Sequence, residues 1–158
     1  MLRDLRRSKR AQRRGVRASR WCLYESPMGT VPKDLVTMFA GIATPQIVRS
    51  ARPLLTDGER GALSEVLDFI DRHGIWKLLG VADADGEVSP SIQKVRSAKG
   101  PLFELKIQGG RHNPRFLFVV CSDVVVFLTA FSKKRQKLRR VDIARADDRF
   151  QTMKDACS

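Results

Sequence analysis

The chain has 158 residues, enough for one domain of ordinary size and too few for two, and its 30 Lys and Arg against 17 Asp and Glu give a net charge of +13. The longest apolar stretch, Phe116 to Cys121 and Val124 to Phe131, is broken by Ser122 and Asp123 and falls well short of the ~20 residues of a membrane helix, so no membrane span or membrane partner is expected. The charge is unevenly placed: residues 1 to 20 hold nine basic and one acidic residue, 51 to 90 hold four and eight, and 91 to 140 hold twelve and two.

Residues 1–27 read as a basic extension, disordered in isolation, because like charges repel and the first twenty positions offer only four large apolar side chains to bury. Two readings stand side by side: an electrostatic arm that neutralises phosphates, and a tail with no selected role. The start has no apolar h-region and so is not a secretory signal, although an Arg-rich, acid-poor start is shared with organellar transit peptides. Residues 28–54 form a lead-in punctuated by Pro32, Pro45 and Pro53, where any element is short and the path irregular.

A folded domain is expected over 55–158. Thr56 and Glu59 fit a capping box, and Leu63, Val66, Leu67 and Ile70 fall at the i, i+3, i+4, i+7 spacing of one helical face, which predicts a helix from Asp57 to His73 ended by Gly74. His73 suits the C-terminal end of the helix dipole better than a metal site, since no partner stands at ligand spacing. Gly80 to Pro90 reads as a loop; Asp83, Asp85 and Glu87 are out of register for a calcium loop. Ile92 to Arg96, Leu102 to Ile107, Arg115 to Cys121 and Val124 to Ala130 are strand candidates, the last two joined as a hairpin by Ser122-Asp123. Ile143, Ala146, Phe150 and Met153 mark one face of a final helix. The order of helix, three- to four-stranded antiparallel sheet and C-terminal helix is an α+β fold. Cys22, Cys121 and Cys157 are odd in number and lack ligand or CxxC spacing, which suggests reduced thiols in a cytoplasmic protein, with Cys121 a small core residue.

Strand alternation puts Glu104 and Lys106 on one face of their strand, and Lys94 and Arg96 on one face of the preceding candidate. Arg115 opens the next strand, and Phe131 to Lys137 (FSKKRQK) leaves the last one. An antiparallel meander allows Lys94, Lys106, Arg115, Lys133, Lys134, Arg135 and Lys137 to converge on one side, the footprint of a polyanion site, against the plainer reading of a solvated basic face. Nucleotide-phosphate loops are absent, neither histidine joins a Ser or Cys nucleophile, and no carboxylate pair stands out.

The succession GPLFELKIQGG, RFLFVV, VVVFLTAFSKKRQK and a short C-terminal helix resembles the RelE/HigB superfamily of bacterial toxin RNases, and in particular its phage-derived HigB-like branch, over roughly Leu55 to Lys154. The resemblance implies a toxin of a type II toxin-antitoxin system, a ribosome-dependent mRNA endonuclease that cuts mRNA in the 30S A site, with that mRNA and the surrounding rRNA as its partners. It also implies neutralisation by an antitoxin, commonly of helix-turn-helix type. Carried over by residue, it selects Lys106, Arg115, Lys133 and Lys134 as catalytic, with Lys94, Arg96, Arg111, His112, Phe131, Arg135 and Lys137 as RNA-binding and Glu104 as the strand glutamate. Cleavage through the 2′-OH builds negative charge on a phosphorane, which preorganised Lys and Arg groups stabilise, so the scheme calls for no metal and no cofactor. Several members of the superfamily place a Tyr or His near the C-terminus; here the only tyrosine is Tyr24 and no histidine follows His112, which leaves His112 or the lysines for proton transfer. The alternatives are a non-catalytic RNA- or ribosome-binding protein, and an inactive homologue that binds its antitoxin as a regulator.

Overall fold

The computed structural model describes residues 19–40, 42, 55–79, 91–132 and 137–157. These form β1 (Trp21–Leu23), α1 (Lys33–Phe39), α2 (Asp57–His73), β2 (Ser91–Lys94), β3 (Phe103–Lys106), β4 (Pro114–Cys121), β5 (Val124–Ser132) and α3 (Arg140–Met153). A helical turn at 75–79 and a 3-10 turn at Lys154–Ala156 complete them. The first eighteen residues of the basic extension and the loop expected over Gly80 to Pro90 lie outside the described residues.

The apolar runs of β4 and β5 pair antiparallel through the Ser122-Asp123 turn, where Ser122 takes the positive φ of 55° that tight hairpins demand. They make the middle of a five-stranded sheet ordered β1-β5-β4-β3-β2. Two features depart from the sequence expectation of three or four antiparallel strands: there is a fifth strand, and it runs parallel to its neighbour. That strand, β1, pairs with Val125–Phe127 and lies within the stretch expected to be a disordered extension. The apolar WCLY that follows the arginines explains it. Trp21 packs its ring 6.0 Å from Phe39 and its indole N–H donates to Asp71 at 3.3 Å, while the Arg20 amide donates to the other oxygen of the same carboxylate at 2.7 Å. The lead-in likewise contains α1, which buries Leu35, Met38 and Phe39.

α2 has the bounds its periodicity predicts. Thr56 and Glu59 close the capping box, Leu63, Val66, Leu67 and Ile70 are buried, and Gly74 at φ 83° ends it with its amide bonded to the Ile70 carbonyl. On one face of the sheet Phe116, Phe118 and Phe127 meet Phe39 and Trp21. On the other face, α3 packs against β4 and β5 through Ile143, Ala146 and Met153. Asp147 of α3 accepts from the Lys99 and Gly100 amides, both at 2.9 Å, which fixes the turn before β3.

The expectation of reduced thiols is corrected. Cys121 is buried as expected, but it is disulfide-bonded to Cys157, because α3 carries the chain back over the end of β4. Cys22 takes no part in a disulfide. No helix among the described residues is long and apolar enough to cross a membrane.

Candidate functional site

Register decides which positions share a face. Ser91, Lys106, Arg115 and Phe131 stand opposite one another across β2, β3, β4 and β5, and Gln93, Glu104, Leu117 and Thr129 form the next row on the same face. Lys106 and Arg115 are therefore direct cross-strand neighbours, flanked by Phe131, with Glu104 and Gln93 in the adjoining row. Lys106 and Phe131 are half-buried.

Within this group Glu104 is fully buried and accepts a hydrogen bond from Gln93 Nε2 at 2.9 Å. Its Oε1 lies 3.7 Å from Arg115 Nε, an ion pair longer than an ordinary hydrogen bond. The Arg115 side chain is only 14 % exposed, and its buried Nε and Nη1 meet no hydrogen-bond acceptor among the described residues. A guanidinium's planar array of donors suits an oxyanion such as a phosphate, which would meet the exposed part of the Arg115 side chain rather than these two buried donors.

The loop between β3 and β4 lies at the same end of the sheet. Ile107 donates to the Pro114 carbonyl beyond the last strand pair, and Gly109 and Asn113 turn the chain at positive φ. Glu59 of α2 reaches into this loop: Oε1 accepts from the His112 amide at 2.6 Å, and Oε2 lies 3.0 Å from His112 Nδ1 and accepts from the Thr56 amide at 2.9 Å. A Cβ at Gly110 would sit 2.2 Å from the Glu59 side chain, so glycine is needed for this approach. Burial of the Glu59 carboxyl opposes its ionisation, but the Thr56 and His112 amides and the His112 ring together outweigh it and hold its pKa below the ordinary glutamate value. His112 is thus an anchored residue whose ring engages α2. Arg111, beside it, is exposed.

The residues singled out from sequence divide accordingly. Lys106, Arg115 and Phe131 share one row, and Arg111 and His112 border the same end of the sheet. Lys137 is exposed. Lys133, Lys134 and Arg135 lie outside the described residues. Lys94 and Arg96 do not converge with the others: Lys94 pairs with Phe103, three positions along the sheet from Lys106 and on the opposite face, and Arg96 lies in the turn beyond β2. The pairing of Ser91 with Lys106 gives the face to the odd-numbered residues of β2, which makes Gln93 the member that sequence reasoning missed. Alternation around Ile92 was its only signal, and that signal does not fix register.

A second, partly buried network was also missed. Asp34 of α1 bonds Thr129 at 2.9 Å and Arg149 at 3.2 Å, and Arg149 also donates to the Leu128 carbonyl while its guanidinium stands over the Tyr24 ring. Burial raises the Asp34 pKa, but the hydrogen bond and charge of Arg149, with Thr129, bring it below the ordinary value. The network ties α1 and α3 to β5.

A family model described as phage derived protein Gp49-like (DUF891) matches residues 62–151, more than half of the chain. The match contains the whole Gln93, Glu104, Lys106, Arg115 and Phe131 group and leaves out β1, α1 and Glu59. No curated protein matches the chain.

Proposed function

The chain belongs to the Gp49-like family of phage-derived proteins, within the RelE/HigB-like toxin superfamily, and from that premise we propose that it is a toxin that cleaves mRNA on the ribosome. The observation that carries the reading is the cross-strand pairing of two cations on one sheet face, Lys106 half-buried and Arg115 with part of its side chain exposed. In the proposed reaction the ribose 2′-OH gives its proton to a general base as its oxygen attacks the adjacent phosphorus, the bond to the 5′-oxygen breaks as a general acid protonates that oxygen, and the products are a 2′,3′-cyclic phosphate and a 5′-hydroxyl. Arg115 supplies donors to the non-bridging oxygens as charge builds on them. Lys106 adds a second cation at the same row, and proton transfer falls to the lysines or to His112, as the family resemblance leaves it. Phe131 offers a ring for stacking an adjacent base. Lys133 and Lys134, with Arg135, join the site on the strength of the family resemblance. The partners under this reading are translated mRNA with the 30S A site, and a small antitoxin that covers the basic face.

The test is to map mRNA 5′ ends after brief induction in cells. New ends confined to translated messages and in frame with the codons are expected, and Arg115→Ala should lower the cleavage rate by about 10²–10³-fold with growth restored. Growth arrest without new 5′ ends would overturn the reading in favour of a binder that does not cut.

A further inference from the structure

We propose that Glu104, held in turn by Gln93, is the positioning residue for Arg115; the proposal rests on the reading of the Lys106 and Arg115 row as a phosphate site. Three roles for Glu104 compete. As a general base it would have to touch the 2′-OH, yet its side chain has no exposure. As a core carboxylate without a task it would carry a desolvation penalty, and Arg115 and Gln93 would be drawn to it for no gain over an apolar residue. The geometry fits the third role. The carboxylate sits at the Nε edge of Arg115, 3.7 Å away, and Gln93 fixes the other oxygen from the neighbouring strand at 2.9 Å.

The arrangement has a specific energetic consequence. Glu104 offsets the charge of Arg115 before RNA binds, so the folded protein does not bury an uncompensated cation. The same negative charge weakens the long-range attraction of RNA to that arginine. Glu104 therefore contributes orientation at the expense of ground-state affinity. Loss of its charge should leave RNA binding as tight or tighter while turnover falls, the opposite of what loss of a binding group would do. Gln93 acts one step further out and should show the same split in weaker form.

The experiment compares wild type, Glu104→Gln and Gln93→Ala in full-length protein on programmed ribosomes, and records the Arg115 side-chain 15Nε–1H signal, assigned by its loss in Arg115→Lys. The expected result for Glu104→Gln is a kcat at least about tenfold lower, a KM that is unchanged or smaller, an unaltered shape of the pH profile, and faster exchange of the Arg115 Nε proton. Gln93→Ala, at an exposed position, keeps the test open if Glu104→Gln fails to fold, and should move kcat and exchange in the same direction by less. A change in KM alone, or the loss of a limb of the pH profile, overturns the positioning role, the latter in favour of a base. Should wild type not cleave RNA at all, the functional reading fails, and the exchange data still decide the contact: an Nε proton equally protected with and without the Glu104 charge overturns it, and one deprotected by Glu104→Gln or Gln93→Ala upholds it.

Discussion

Glu59 shows how much one side chain can carry. Its two oxygens serve the N-terminus of α2 and the β3–β4 loop together, through the Thr56 amide and the backbone amide and ring Nδ1 of His112. Only half of this is legible in the sequence. The spacing from Thr56 gives the capping box, because that contact is local, but His112 is 53 residues away and nothing in its neighbourhood announces a partner. Glu59→Ala removes the box and strands the His112 amide, and is expected to cost roughly 2–3 kcal/mol in urea unfolding. The pH dependence has a definite sign. Because the folded Glu59 pKa is lowered from the ordinary 4.5, its contribution is present above that value and is lost as pH falls through the lower folded value. Denaturation followed from pH 6 downwards should show this loss in wild type and a shallower decline below about pH 4.5 in Glu59→Gln, which keeps the box and cannot ionise. Equal slopes in the two proteins would count against the His112 anchor.

At the scale of elements, legibility follows how local the determinants are. α2, β4 and β5 carry their signal in a contiguous apolar pattern, and the structure places them close to where that pattern does. β1 is three residues long and gains its stability from the edge of β5, a partner about a hundred positions later, so the charge of the preceding segment masked it. The face of β2 depended on register, which a four-residue strand with so little apolar contrast between its faces does not specify. α3 shows a third kind of hidden determinant: its apolar stripe is visible, whereas its tethers through Arg149, Asp147 and the Cys121–Cys157 bond are all distant in sequence. The disulfide closes a span of 36 residues, for which loop-closure entropy gives roughly 3–4 kcal/mol. Reductant should therefore lower the melting temperature of wild type and leave Cys157→Ser, already lower, unchanged. The same melting temperature for wild type with and without reductant would show that packing of α3 alone holds that end of the helix.

Under the proposed RNA-cleaving function, the question for the whole molecule is which of the thirteen net charges act on RNA. Residues 1–18 carry eight basic residues and one acidic one, none of them in the family match, whereas Lys106 and Arg115 sit inside it on a paired sheet. A contribution from the basic start and one from the sheet face differ in how they respond to salt and in what they do to chemistry. The informative truncation removes 1–18 and stops there, since cutting to residue 27 would take away Trp21 and β1 and so confuse unfolding with weakened binding. If the basic start acts as an arm, the 19–158 chain will melt like the full chain and cleave at an unchanged kcat. Its RNA affinity will fall, and the slope of log affinity against log salt will flatten by about 0.7 for each phosphate that the arm no longer neutralises. An unchanged slope would mark the basic start as a bystander and leave the sheet face as the electrostatic footprint. A kcat that collapsed with the truncation would mean instead that residues 1–18 reach the reacting phosphate, and the Lys106 and Arg115 row would then be only part of the catalytic site.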